Sequence, residues 1–312
     1  MNKATIKVLI AMLLWGSLGV FVKNISLDSV EIAFFRGIIG SVFLGIVLFI
    51  RMQNNKKLEQ ENDKLNNDFE DEDKKPSKKS IIILIISGMA IGLNWVFLFN
   101  SYNYITVANA TIVYYLAPVI VIFVSPIFLK EKLTLKKVLA VICAMIGLVL
   151  IVRTGQSSTN INLTQGIINA FLAACLYAGV IILNKFIKNV DDYTKTFIQL
   201  FMASMVLLPW VIFRNNIIFD STKSIILILI LGIAHTGIAY CLYFSAMKDL
   251  KAQSIAILGY IDPVSSVVFS IFLLREPFSI YQLIGGVIIL LSAVIAERNP
   301  KPKTIENGEI NL

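Results

Sequence analysis

Long apolar stretches, separated by short polar ones, constrain this chain more than any other feature. A helix needs roughly 20 mostly apolar residues to cross the hydrocarbon core of a bilayer. Hydrophobic residues make up 57% of the 312-residue sequence and charged residues 15%, which lies outside the range of ordinary soluble domains. We therefore expect an all-α membrane protein with ten transmembrane helices. The expected helices lie near residues 6–22, 30–50, 81–102, 107–129, 135–152, 166–183, 196–213, 224–247, 254–274 and 280–296.

The first stretch is short and follows Lys3 and Lys7, so a signal peptide is the alternative to a first transmembrane helix. No small-x-small cleavage site follows it, and the next apolar stretch begins almost at once, which favours a retained span.

Lysine and arginine are distributed unequally between the two sides of the expected bundle. With the N-terminus in the cytoplasm and the long loop 51–79 set aside, 14 basic residues fall on the inner side and 5 on the outer side. Cytoplasmic loops normally carry the excess, so we expect a multi-pass protein of the plasma (inner) membrane with both termini cytoplasmic. The loop 51–79 and the tail 299–312 are too polar to fold alone. We interpret the loop as a solvated linker or a short frayed helix, with a docking or regulatory role as the alternative.

The formal charge of +8 does not indicate a nucleic-acid-binding protein, because its basic residues lie in short loops between apolar segments. Cys143, Cys175 and Cys241 all fall inside apolar stretches without paired spacing. We therefore expect no disulfide framework, no metal site and no cofactor.

Two stretches share one layout: "YLAPVIVIFVSPIFLKEKLTL" at 115–135 and "YIDPVSSVVFSIFLLREPFSI" at 260–280. Each runs from an aromatic residue through a proline and an apolar run to a basic residue and a glutamate. An offset of 145 residues superposes them, an offset of 144 aligns the preceding helices, and an offset of 162 aligns the two starts. The matched pairs include Tyr115 and Tyr260, Pro118 and Pro263, Glu131 and Glu276, Gly88 and Gly232, Trp15 and Tyr177, and Lys23 and Lys185.

The chain therefore divides into two repeats of five helices, at 1–152 and 153–298, followed by the tail. Because five is odd, the second repeat must enter the membrane from the opposite side. Inverted repeats of this kind are a recurring transporter design, with the substrate site in a central cavity near the bilayer midplane. Pro118 and Pro263 each remove a helical hydrogen bond, so we expect matched bends beside that cavity, with harmless kinks as the alternative.

Only Arg36 and Asp262 place a formal charge well inside an expected span. A carboxylate at mid-membrane costs roughly 2.5–3.5 kcal/mol on the insertion scale, so Asp262 must be neutralised, paired or hydrated. Arg36 could pair with Asp262 or with Glu31, and a purely structural ion pair is the alternative to a role in transport. His235 is either a proton carrier or a packed neutral ring.

Aromatic and amide side chains also lie at mid-helix depth, away from the interfaces where Trp and Tyr usually collect. Together they could line a cavity with apolar walls and a few polar points, which suits an amino acid or a similar amphipathic metabolite. The candidates for this cavity are Trp15, Asn94, Tyr114, Tyr177, Tyr240 and Tyr260, with Trp95 and Tyr115 at the same depth.

These residues resemble a known family. Ten helices as five plus five, a proline inside the fourth helix of each half, the basic-Glu pair closing that helix, Arg36 in "FFRGIIG" and Asp262 before Pro263 resemble the EamA-type branch of the drug/metabolite transporter superfamily. The resemblance covers nearly the whole chain except the loop 51–79 and the tail. It implies alternating-access transport of a small metabolite, with export of an amino acid or related solute favoured and a multidrug or nucleotide-sugar carrier as the alternative.

The sequence differs from part of this superfamily in a residue that couples transport to protons. In the small multidrug members of the superfamily a glutamate of the first helix binds proton and drug, but the first helix here, "IKVLIAMLLWGSLGVFV", has no acid. The resemblance therefore does not imply proton antiport of that kind, and proton coupling stays open.

An enzyme or a channel is the competing class. With one histidine, no CxxC and no HExxH, the sequence offers no nucleophile-base pair or metal cluster, so we expect no enzymatic activity. An isolated Asp262 is also a poor selectivity filter. The expected partners are a small-molecule substrate and the lipid bilayer, without nucleic acid, and the expected state is a monomer or a weak dimer.

Overall fold

The computed structural model describes residues 2–62, 76–128, 135–154, 163–213, 221–247, 249–250, 258–259 and 261–297. Within these ranges all regular structure is helical, and ten helices, α1–α10, follow one another along the chain. They are α1 (Lys3–Lys23), α2 (Ser29–Asn62), α3 (Lys78–Ser101), α4 (Val107–Tyr114 and Ala117–Phe128), α5 (Leu135–Thr154), α6 (Leu163–Asn184), α7 (Asp192–Phe213), α8 (Thr222–Ile230, Leu231–Ile238 and Ala239–Met247), α9 (Ile261–Leu273) and α10 (Ile280–Glu297).

The lengths and apolar compositions of these helices are suited to a lipid bilayer. Seven of them in the described ranges are long and apolar enough to cross a membrane, and shorter apolar helices occupy Ile261–Leu273 and Leu283–Ser292. Large apolar side chains remain on the outside of the bundle; Phe213, Ile127 and Phe272 are 87%, 74% and 73% exposed. Such a surface suits contact with lipid tails. Over its described residues the chain is an all-α membrane protein with ten helices, seven of which meet the length and apolarity of a membrane span.

Two helices depart from regular α geometry. α4 is interrupted at Tyr115 and Leu116, where Pro118 has no N–H to donate to the carbonyl of Tyr114 four residues earlier. The middle segment of α8, Leu231–Ile238, is a π-helix, a wider turn in which hydrogen bonds span five residues instead of four. π-Turns are rare and often occur at functional sites.

Contacts between the two halves come in symmetric sets. α2 packs on α7, α4 on α9 and α5 on α10, so that in these three pairs a helix meets its own counterpart. α3 packs on α6 and α7. Its counterpart in the second half, α8, packs in the same way on α1 and α2. α4 packs on α6 as α9 packs on α1. Two halves related by a pseudo-twofold axis produce such a set, which agrees with the inverted repeat read from the sequence.

Small residues let the helices approach closely, as is typical of membrane interfaces. A Cβ added at Gly16 of α1 would lie 1.9 Å from Ser265 Oγ and 2.8 Å from the carbonyl oxygen of Asp262, both on α9. At Gly147 of α5 the carbonyl oxygen of Gly285 on α10 would be 2.6 Å away. The first of these contacts fixes α1 against the start of α9, next to the acidic residue of the spans.

Candidate functional site

Asp262 directly precedes Pro263 in α9, which the structure describes from Ile261 onward. The hydroxyl of Tyr115, from the interruption of α4, donates a hydrogen bond of 2.8 Å to Asp262 Oδ2. Asp262 is half-buried.

Arg36 is buried between α2, α3 and α8 and is 4% exposed. Its Nε donates a 2.9 Å hydrogen bond to Thr236 Oγ1, and its guanidinium carbon stands 4.2 Å from the centre of the Trp95 ring. The Thr236 hydroxyl donates in turn to the carbonyl of Leu231, five residues back in the π-turn, and is therefore free to accept from Arg36.

Neither of the two ion pairs open to Arg36, with Asp262 or with Glu31, is present in the part of the chain that the structure describes. Among the described residues no carboxylate lies within 4.0 Å of its guanidinium. Glu31, instead of reaching Arg36, accepts a 3.0 Å hydrogen bond from the backbone N–H of Asp28 and caps the start of α2. Within the described residues, Thr236 and the Trp95 ring are the contacts of the guanidinium that replace a direct ion pair.

His235 belongs to the packing between α1 and α8. Its Nε2 is 3.0 Å from Ser17 Oγ, its Nδ1 is 3.4 Å from the carbonyl oxygen of Ile230, and its ring meets Phe21 edge-on. Trp15 Nε1 donates a 2.9 Å hydrogen bond to the backbone carbonyl of His235. With both ring nitrogens and the carbonyl engaged, the arrangement is that of a packed, hydrogen-bonded ring.

Aromatic rings form two contacting pairs. Trp15 meets Tyr240 with ring centres 5.2 Å apart. Tyr114, next to Tyr115 in sequence, stacks on Tyr177 at 5.3 Å, with the ring planes inclined by 25°. Trp15, Tyr114 and Tyr240 are half-buried and Tyr177 is 39% exposed, so these rings border accessible surface instead of a sealed core.

Asn94 is a buried side chain that contacts Tyr114 and helix α6. It is 2% exposed, donates a 2.6 Å hydrogen bond to the carbonyl of Ala173 on α6, and accepts one of 3.4 Å from the Tyr114 hydroxyl. It therefore joins α3 to α6 and orients Tyr114. Tyr260 lies outside the described residues.

Sequence reasoning missed several contacts of this region: Thr236, Ser17 and the bond from Tyr115 to Asp262. The spacing of Tyr115 one residue after Tyr114 was visible, but no pattern in one sequence indicates which of the two hydroxyls meets an acid on another helix.

A separate polar group, here called the Glu276 cluster, lies where α1 and α9 end and α4 begins, and consists of Lys23, Val107, Ser270 and Glu276. Glu276 Oε1 is 2.5 Å from the Lys23 ammonium, and Glu276 Oε2 accepts a 2.8 Å hydrogen bond from the Val107 backbone N–H at the start of α4. The Ser270 hydroxyl also donates to Oε2. One carboxylate thus joins α1 and α4 of the first half to α9 of the second half.

Comparison with known proteins agrees with this architecture. The EamA-like transporter family matches residues 2–153 and again residues 164–297. The chain is 31% identical over 310 residues to the uncharacterized transporter YxxF of Bacillus subtilis, covering 98% of this chain and 94% of that protein. It is 24% identical over 302 residues to the uncharacterized inner membrane transporter YicL of Salmonella typhimurium, covering 94% and 95%.

A crystal structure with 18% sequence identity superposes with a TM-score of 0.61 over 94% of this chain and 96% of the other, which shows a shared fold. With the family matched once in each half, and relatives named as transporters aligned over nearly their whole length, this chain belongs to the EamA-like transporter family.

Proposed function

We propose that the protein exports a small amphipathic metabolite, an amino acid or a related solute, across the plasma membrane by alternating access. The observation that carries the proposal is the bond to Asp262: its half-buried carboxyl group accepts a hydrogen bond from Tyr115, whose neighbour Tyr114 stacks on the partly exposed ring of Tyr177. A solute with an ammonium group and an apolar side chain matches such a wall, because the rings and the acid both favour a cation.

Alternating access follows from the two-halved architecture. In this mechanism the halves 1–152 and 153–298 rock against each other around a fixed central site, with both termini in the cytoplasm. The symmetric contacts between the halves support such a motion, since each contact has a counterpart that can tighten as the other loosens. The Glu276 cluster supplies a closed contact on the face that the proposed topology places outside.

A nucleotide-sugar carrier is less well supported. Binding of a diphosphate normally requires several basic side chains, and Arg36 is the single one deep within the described parts of the spans. A cationic drug fits Asp262 and the rings, and is therefore the second candidate. Proton coupling through His235 or Asp262 would modulate either form of transport.

The test has two stages. Purified protein is first screened for thermal stabilisation by the twenty amino acids, with a nucleotide sugar and a quaternary-ammonium dye as comparators, because a ligand that binds only the folded protein raises its melting temperature. Counterflow of the best stabiliser in proteoliposomes then separates a carrier from a channel: preloaded solute accelerates labelled uptake through a carrier alone. Stabilisation by the dye alone would favour the multidrug candidate, and labelled uptake that preloading does not accelerate would contradict a carrier.

A further inference from the structure

Three exposed lysines lie together at one edge of the bundle, where α3 begins and α6 leads into α7. Lys78 and Lys79 belong to the first turn of α3, and Lys188 lies in the connection between α6 and α7. The backbone N–H of Lys188 donates a 3.3 Å hydrogen bond to the hydroxyl of Ser80, the residue that follows Lys79. This bond joins two segments far apart in sequence, so the three flexible side chains can reach a common ligand. The three residues are called the lysine patch below.

The positive charge of the lysine patch is not neutralised by nearby acids. Among the described residues no carboxylate lies within 4.0 Å of its ammonium groups. Two acids at the end of the same connection have other partners. Asp191 accepts hydrogen bonds from the backbone N–H groups of Tyr193 and Thr194, and Asp192 pairs with Lys195. Because like charges repel, an anion bound at the lysine patch would lower its electrostatic energy.

An exposed apolar face of α3 continues from the lysine patch along the membrane span, which begins at Lys78. Counted from Lys78, residues on the same side of the helix follow at spacings of three and four. They are Ile82, Ile86, Met89 and Leu93, all of which are exposed. The other side of α3 packs on α6 and α7. A basic group at the end of an apolar face matches both parts of a phospholipid, the phosphate and the acyl chains.

We propose that the lysine patch binds the headgroup of an anionic phospholipid, whose acyl chains lie along the exposed face of α3. A lysine ammonium group binds a phosphate oxygen as a point charge, and lysines at the ends of membrane helices extend toward the headgroups. A soluble phosphate ester carries the same charge without the chains, so the apolar face favours the lipid. The site involves neither Asp262 nor the aromatic rings beside α1 and α6, and is therefore independent of the transported solute.

Native mass spectrometry of the delipidated full-length protein measures the affinity of the first bound lipid. Phosphatidylglycerol is the anionic probe, phosphatidylcholine carries the same chains without net charge, and glycerol 3-phosphate carries a phosphate without chains. Each lysine beside an anionic headgroup contributes about fivefold in affinity. The wild-type protein should therefore bind phosphatidylglycerol about 100-fold more tightly than phosphatidylcholine, and glycerol 3-phosphate more weakly than phosphatidylglycerol.

Variants of the lysine patch test whether both segments hold the lipid. Lys78→Gln, Lys79→Gln and Lys188→Gln combined should bring phosphatidylglycerol to the affinity of phosphatidylcholine, which should itself stay unchanged. Lys188→Gln alone should weaken phosphatidylglycerol about fivefold, because the connection between α6 and α7 shares the ligand with α3. All three side chains are exposed, so these variants should fold like the wild type.

Two controls test whether binding is local. Changing Lys3, Lys7 and Lys223 to glutamine removes the same charge from α1 and α8, and should keep the wild-type preference for phosphatidylglycerol. The acidic run at 68–73 precedes α3 in the sequence and is the competing anion. With its carboxylates changed to amides, the affinity for phosphatidylglycerol should stay within about threefold of the wild type.

Each contrary outcome has its own meaning. Equal affinity of the two lipids for the wild-type protein overturns the site. Equal loss in the control and in the triple variant of the lysine patch indicates general attraction to a basic protein, and an unchanged affinity in Lys188→Gln removes the shared ligand; both overturn the assignment. A larger gain on neutralising the run 68–73 assigns the lysine patch to the chain itself. Binding of glycerol 3-phosphate as tight as that of phosphatidylglycerol assigns it to a soluble phosphate ester, which also contradicts a lipid site.

Discussion

Removing the charge of Glu276 should open the face of the bundle that the Glu276 cluster closes. Glu276→Gln preserves the size of the side chain but loses the ion pair to Lys23, whose side chain is 29% exposed against 10% for Glu276. A partly exposed pair of this kind contributes about 1 kcal/mol. Hydrogen bonds to a carboxylate are roughly twice as strong as neutral ones, so the bonds from Val107 and Ser270 lose about 1–2 kcal/mol together.

The closed arrangement should therefore lose about 2–3 kcal/mol, which raises the equilibrium constant for opening about 30- to 140-fold. A cysteine at position 108 reports this opening, because Ala108 is fully buried beside the cluster. In a background without Cys143, Cys175 and Cys241, the maleimide reaction rate of Ala108→Cys should rise by the same factor when Glu276→Gln is added.

Two controls separate opening from general loosening. Ala144→Cys places a second fully buried reporter on α5, away from the cluster, and its reaction rate should not change. Lys195→Gln removes the bridge between Lys195 and Asp192, which are neighbours on α7, and should leave the Ala108→Cys rate unchanged. If Glu276→Gln alters the Ala108→Cys rate by less than about threefold, the cluster does not hold this face closed and the magnitude argued from its bonds is wrong.

Three further changes test other parts of the structure. Gly16→Ala should lower the melting temperature and cost about 1–3 kcal/mol, because its Cβ would overlap Ser265 Oγ; an unchanged melting temperature would contradict the close contact of α1 with α9. Asp262→Asn should insert and melt like the wild type while labelled-solute transport falls sharply, whereas a loss of about 3–5 kcal/mol in stability would indicate a dry structural role. For topology, a cysteine replacing Thr159 should react with an impermeant reagent from outside the cell and one replacing Lys74 only from inside; the reverse pattern would overturn the proposed orientation.

The sequence predicted the helices better than their irregularities. Apolar length alone indicated ten spans, since burying unpaired backbone in lipid leaves the helix as the available solution. The repeat of the 115–135 pattern at 260–280 then indicated the inverted halves. The π-turn of α8 was not predicted, because it depends on side-chain contacts that carry no periodic signal. The extension of α2 to Asn62 corresponds to the short frayed helix that was one of the two interpretations of the loop 51–79.

The site was predicted at the level of residue type and depth, and not at the level of partners. Arg36 and Asp262 were selected because placing a charged side chain in the middle of a membrane has a high free-energy cost. Their partners come from helices more than a hundred residues away in sequence: Thr236 for Arg36 and Tyr115 for Asp262. Helix rotation decides which side chains meet across such distances, and a single sequence does not encode that rotation in any local pattern. Glu276 appeared only as part of the repeat, without its bonds to Lys23 and Val107.

The wide turn of α8 sets the rotation of the residues that follow it in that helix. A π-turn accommodates one residue more than the α-turn it replaces, which is equivalent to a rotation of later residues by about 100° about the helix axis. Thr236 lies within the turn and Tyr240 shortly follows it, so the same local geometry orients both the hydroxyl that Arg36 contacts and the ring that meets Trp15.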